Sequence, residues 1–171
     1  MTLPTGPMIV LAGTLFALLS LAFAPKRGLV SRIARVFAFR FRCLQENILK
    51  SLWKKETLPA SGLQELHQVS RFSLRAAVWR LQREGWIRLS QGKFSLTQDG
   101  RLKAAAIVRL HRLWELYLTE ELGFHAEKVH KTAEEMEHIL TPEIERKLTR
   151  LLDDPKRDPH HQPIPEKGLL G

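Results

Sequence analysis

Residues 70–96, SRFSLRAAVWRLQREGWIRLSQGKFSL, decide the fold. Ser70 and Ser73 can cap a helix N-terminus with their hydroxyls, and Gly85 stands where a C-terminal glycine ends one. A helix is therefore predicted between them, over LRAAVWRLQREG. Residues 86–89 and 93–96 alternate apolar and polar around Ser90-Gln91-Gly92, which reads as a β-hairpin. Upstream, 58–62 is a break with Ser61 as a candidate N-cap, and 63–68 is a short helix. Two short helices across a tight turn, the second rich in arginine, make a helix-turn-helix candidate. A further helix from Cys43 to Lys54 carries the apolar stripe Leu44, Ile48, Leu49, Leu52 and Trp53. Three helices and a hairpin in that order predict a winged helix. The alternative is a generic small α+β domain.

Downstream, a helix over 101–122 has more apolar positions than one isolated helix can bury, among them Ile107, Val108, Leu113, Trp114 and Tyr117. It needs a partner, which a second chain can supply. Gly123 stops it. A helix over 126–140 holds VHKTAEEMEHIL at 129–140. At about 100° per residue, His130, Glu134, Glu137 and His138 fall within roughly one quarter of the circumference. His111 and Glu115, in HRLWE, repeat the four-residue spacing on the preceding helix. Two such faces together offer nitrogen and oxygen donors to a divalent metal; the bland reading is a pair of solvated faces. Thr141 and Pro142 open one more helix, to about Leu152, and the tail DDPKRDPHHQPIPEKGLLG, with its prolines, is expected to be extended or disordered.

Charge is uneven. Residues 26–112 hold nineteen Lys/Arg against five Asp/Glu, and 113–171 hold eight against thirteen. A basic half followed by an acidic half fits a polyanion-binding module joined to something else. The lone cysteine, Cys43, excludes a disulfide framework and a Cys-type zinc site.

Residues 8–24, MIVLAGTLFALLSLAFA, carry no charge, and Lys26, Arg27, Arg32, Arg35, Arg40 and Arg42 follow. A transmembrane segment is expected over 1–28, with everything after Pro25 on the cytoplasmic side of the inner membrane. A cleaved secretory signal and a buried core helix are the competing readings. Residues 29–55 read as helix, of which 29–42 form a basic amphipathic connector at a bilayer surface.

Two resemblances add to this. LPTGP, the apolar run and APKRGLV resemble the last transmembrane helix and cytoplasmic exit of metal-ion ABC transporter permeases. REGWIRLSQGKFSLTQDGRLKA, RLHRLWELYL, LGFHAEKVHKTAEEMEHILTPEIERKL and DDPKRDPHHQPIP resemble the diphtheria-toxin-repressor/manganese-regulator family over about residues 43–165. The second resemblance implies a mainly α protein. A winged-helix DNA-binding domain at 43–100 would precede a helical metal-binding and dimerisation domain at 101–153 and a tail at 154–171. It implies His111, Glu115, His130, Glu134, Glu137 and His138 as metal ligands, with Asn47 or Glu46 as further donors. Lys50 falls where the manganese type carries a carboxylate, a departure that weakens the expected link between metal and DNA geometry. All-His/carboxylate ligation suits Mn²⁺ or Fe²⁺.

The implied function is a metal-dependent repressor of metal-uptake genes, a homodimer on a palindromic operator. Ser70, Arg71, Ser73, Arg75 and Ala76 would face DNA, with Lys93 on a phosphate. The alternative is a metal-sensing cytoplasmic domain of a permease fusion that regulates transport, and release from the membrane would leave a cytoplasmic form. An enzyme is not expected: there is no HExxH, P-loop or paired nucleophile and base, and a metal with six ligands has no open position.

Overall fold

A computed structural model describes residues 5–25, 28–125 and 141–166. The chain separates into two compact units, Met1–Phe41 and Arg42–Gly171.

The first unit contains α1, Thr5–Phe23, and the start of α2, Leu29–Lys55. The Gly28 amide donates to the Ala24 carbonyl at 2.8 Å between the two helices. The expected transmembrane helix is not supported: among the described residues no helix is long and apolar enough to cross a membrane. The physical reason lies in length. The charge-free run of residues 8–24 rises only about 25 Å at 1.5 Å per residue, against roughly 30 Å of hydrocarbon. The helix expected over 29–55 is α2, continuous over those residues.

The second unit opens on the later turns of α2, which bury Ile48, Leu49 and Leu52. Leu63 of α3 (Ala60–His67) and Leu74, Ala77, Val78 and Leu81 of α4 (Arg71–Arg83) are buried as well. The N-cap of α3 is Pro59, not Ser61, which lies within its first turn. Strands β2 (Ile87–Ser90) and β3 (Lys93–Leu96) form the expected hairpin. A strand absent from the sequence reading, β1 (Thr57–Pro59), pairs antiparallel with β3, giving the order β1-β3-β2. Three residues are too few to show an alternating pattern. In place of the pattern, Leu58 opposite Phe94 buries one side chain per strand and fixes the register.

The end of α4 is clamped to the start of α5 (Gln98–Glu120). Gly85 at φ 74° ends α4, with its amide on the Gln82 carbonyl and that of Trp86 on Leu81. This is the left-handed helix terminus that glycine adopts without strain. The Trp86 carbonyl then accepts the Thr97 amide at 3.0 Å. The Thr97 hydroxyl donates to the Gly85 carbonyl at 2.6 Å and caps α5 by accepting the Gly100 amide at 3.0 Å. Gly100 is required by closeness alone: a Cβ there would lie 1.8 Å from the Trp86 carbonyl oxygen.

The tail, expected to be extended or disordered, is ordered over its described part, 153–166. Leu113 and Leu116 of α5, Leu148 and Leu152 of or beside α6 (Pro142–Leu151), and Ile164 of the tail form one buried cluster. Arg109, only 3% exposed, supplies the polar half of this packing. Its guanidinium reaches Glu145 Oε1 at 3.3 Å, Thr149 Oγ1 at 3.2 Å, Asp154 Oδ1 at 3.4 Å and the Pro165 carbonyl at 2.8 Å. One turn on, Arg112 donates to the Pro163 carbonyl and pairs with buried Asp158, whose Oδ1 accepts the amides of His160 and Gln162 at 2.9 and 2.8 Å. The prolines removed helix as an option but not order, because two arginines of α5 bind the tail's carbonyl groups.

Two stability tests follow from these contacts. Gly100→Ala is expected to cost about 3 kcal/mol, the upper end of overpacking penalties, in urea unfolding; a loss under about 0.5 kcal/mol would show that the α4–α5 clamp yields. Arg109→Ala leaves Glu145 and the Pro165 carbonyl unpaired and is expected to cost about 3–5 kcal/mol by the same measurement.

Candidate metal centre and nucleic-acid interface

Of the six expected principal ligands, two lie on described residues. His111 and Glu115 sit one turn apart on α5, both buried, with Nε2 and Oε1 at 3.2 Å. Their face is the sequestered side of α5, which also carries Ala104, Val108 and Leu118. The solvated-face alternative is therefore wrong for this pair. A buried carboxylate at 2% exposure needs a cation or donors. Arg109 and Arg112, on either side of His111, tie this part of the helix to the tail. His130, Glu134, Glu137 and His138 lie outside the described residues, and among the described residues no group of three or more His, Cys, Asp or Glu side chains could hold a metal ion. Glu46 and Asn47 are half-buried on α2 beside Ile48, and both engage other groups: the Asn47 carbonyl accepts the Ser51 hydroxyl at 2.8 Å. Imidazole nitrogen and carboxylate oxygen at this spacing fit a divalent transition ion.

The second expected surface is α4. Ser70 is its N-cap, accepting the Ser73 amide at 3.1 Å, and the two hydroxyls lie 2.9 Å apart. These serines therefore serve the helix first, so of the residues expected to face DNA, Arg71 and Arg75 carry the free charge and are exposed. Ala76 is half-buried, and exposed Lys93 opens β3 beside the Gln91-Gly92 turn. The sequence reading missed two aromatics on the same face. Phe72 is 83% exposed and Trp79 59%, and the Arg83 guanidinium lies over the Trp79 ring at 5.4 Å from its centroid. The signal was available: 72, 75, 79 and 83 share one helical arc opposite the buried Leu74, Ala77 and Leu81.

A further contact joins α2 to α3. The Ser51 hydroxyl donates to the Asn47 carbonyl, so its oxygen accepts from His67 Nε2 at 3.1 Å. Burial lowers the pKa of His67 below its ordinary value of 6.5, and the charge of Lys50 lowers it further. Lys50, at the departed ligand position, thus places a cation beside the helix-turn-helix.

With this geometry in place, likeness to known proteins is specific. Residues 97–166 match the family described as iron dependent repressor, metal binding and dimerisation domain. The chain is 35% identical over 175 residues to a probable metal transport system membrane protein of Chlamydia trachomatis, across 96% of this chain and 39% of that protein. It is 40% identical over 95 residues to the diphtheria toxin repressor of Corynebacterium glutamicum, across 55% of this chain and 42% of the repressor. Among solved structures, a manganese-dependent transcriptional repressor in complex with manganese superposes with a TM-score of 0.67 at 32% identity, across 72% of this chain and 59% of that one. The chain spans less than half the length of these two curated relatives.

The lowered pKa of His67 fixes the sign of a pH effect. As pH falls below about 6.5 the unfolded chain takes up this proton before the folded one, so stability is full above that pH and declines below it. Urea midpoints measured between about pH 8 and pH 5 should fall less in His67→Gln than in the parent. Parallel curves would remove His67 as the cause.

Proposed function

Over residues 97–166 the chain belongs to the iron-dependent repressor family, and on that premise we propose that it is a metal-dependent DNA-binding regulator of transcription. The finer reading is a homodimeric repressor of metal-uptake genes responsive to Mn²⁺ or Fe²⁺, with DNA binding in 43–100 and metal binding in 101–153. The observation that carries it is the buried His111–Glu115 pair on α5, the helix whose first turn is clamped to the turn between α4 and β2. One continuous helix thus connects the ligand pair to the base of the recognition helix and wing.

His111 and Glu115 would hold the ion together with His130, Glu134, Glu137 and His138, with Asn47 or Glu46 as further donors. The ion supplies positive charge to a carboxylate-rich site. The remaining work belongs to the chain. Arg109 and Arg112 hold α5 against α6 and the tail, so the ligand pair cannot rotate freely. The Thr97–Gly85–Trp86 bonds hold α4 to α5, so ordering of the metal-binding half is felt as the position of α4. Exposed Arg71 and Arg75 then meet phosphates or guanine edges, and Lys93 meets a phosphate. In a two-fold dimer such a helix pair selects a palindrome of matching half-site spacing.

A second reading is favoured by one observation: the likeness to the chlamydial metal transport system membrane protein runs over nearly the whole chain, not the repressor-like part alone. In that reading the metal-binding half regulates transport. Electrophoretic retardation of DNA selected from a random duplex pool, with and without Mn²⁺ or Fe²⁺, separates the two. The repressor reading expects metal-dependent retardation, with His111→Ala and Glu115→Ala each weakening metal binding at least ~10-fold and abolishing the metal effect. Metal binding by calorimetry with no retardation at low salt would overturn it in favour of the transport reading.

A further inference from the structure

The first half of α2 is a surface that neither metal binding nor DNA recognition uses. None of its residues before Ile48 is buried within the helix. Leu29, Val30, Ile33, Val36 and Phe37 fall within an arc of about 120° and are all exposed, Phe37 by 68%. Arg32 flanks that arc and Arg40 falls within it, Arg35 and Arg42 lie on the opposite face, and no acidic residue occurs anywhere before Glu46. Leu29, Ile33, Val36 and Phe37 line a shallow groove together with Arg32 and Arg40. Their aliphatic stems can lie along the apolar strip while the guanidinium groups reach outward.

We propose that this half of α2 is an interfacial helix that lies on an anionic phospholipid surface. Two kinds of group must be satisfied at once. The arginines call for a polyanion, which nucleic acid and anionic lipid both supply. The apolar arc calls for removal from water, which a DNA backbone does not supply and the acyl boundary beneath lipid phosphates does. A second copy of the chain would cover the arc but bring another set of arginines against the first. Charge and apolar pattern together therefore select the lipid surface. The helix binds in the plane of the interface, apolar arc down, with the Arg32 and Arg40 guanidinium groups reaching up to the level of the phosphates. This contact is peripheral and needs no membrane-spanning segment.

The test uses the full chain, purified in mild detergent and diluted into vesicles, with flotation as the readout. Vesicles of phosphatidylcholine alone are compared with vesicles containing phosphatidylglycerol. Apolar α1 has no charge with which to tell the two apart, so a preference for the anionic vesicles reports α2. The parent should prefer anionic vesicles and lose the preference as salt is raised. Replacing Arg32 and Arg40 together by Ala should weaken the anionic component about 30-fold, whereas the double Lys variant should keep it. Ile33→Glu with Phe37→Glu should abolish it, with the circular dichroism spectrum unchanged because both positions are exposed. Equal binding to neutral and anionic vesicles, or an anionic preference that survives either set of changes, would overturn the proposal. So would variants that alter only duplex DNA retardation or only self-association in the absence of lipid, which assign the face to nucleic acid or to a second copy.

Discussion

A guanidinium buried to 3% exposure cannot be left with unused N–H groups, and the architecture of the second half of this chain follows from satisfying Arg109. Its partners come from three places: Glu145 and Thr149 on α6, Asp154 just after it, and the Pro165 carbonyl at the far end of the tail. None of these is close to Arg109 in sequence. Forming the set therefore docks α6 and folds the tail back in one step. Ile164, adjacent to Pro165, is delivered into the cluster with Leu113 and Leu116 by the same closure. The ionic contact is not strong evidence for stability taken alone, since burying charge costs free energy. Its consequence is specificity of packing, because an apolar residue at 109 would not tell the folded tail from an unfolded one.

The same helix joins two events at its ends. Its N-terminus is held by Thr97 and by the close approach at Gly100, and its middle carries His111 and Glu115. A helix is stiff along its axis, and eleven residues separate Gly100 from His111, about 16 Å of rise. Movement of His111 and Glu115 is therefore passed to the α4–β2 turn as a rigid displacement. The bond from His67 to Ser51 fastens α3 to α2, so the helix-turn-helix is held from its other side as well.

The sequence revealed these features unequally, and the reasons are physical. Helix caps and the hairpin turn were legible because Thr141, Ser70 and Gly92 act through neighbours within a few residues. The winged helix followed from their order. The pairing of His111 with Glu115 was legible because helical spacing alone brings them together. β1 was not, because a three-residue strand is defined by its partner rather than by its own pattern. Tail order was not, because the acceptors are backbone carbonyls, and composition does not say which arginine will find them. Phe72 and Trp79 were left out because an apolar residue on a helix is most often buried, and only the register of the helix puts them opposite its buried face. The apolar run at 8–24 was read as a span although its seventeen residues are at the short end for one, and among the described residues no helix is long and apolar enough to cross a membrane.

Two basic surfaces remain, and they differ in what lies behind them. Behind the face of Phe72, Arg75, Trp79 and Arg83, α4 buries Leu74, Ala77, Val78 and Leu81. Its side chains are thus presented from a fixed platform, as reading base edges at about 3 Å requires. The early turns of α2 have no buried residue behind Arg32, Arg35 and Phe37. A surface of that kind cannot hold a group to hydrogen-bond precision, so it is unsuited to reading sequence. It is suited to a partner that is itself fluid, negatively charged and apolar just beneath its charge. The division between a supported basic face and an unsupported one is therefore also a division between a partner read by position and a partner met by composition.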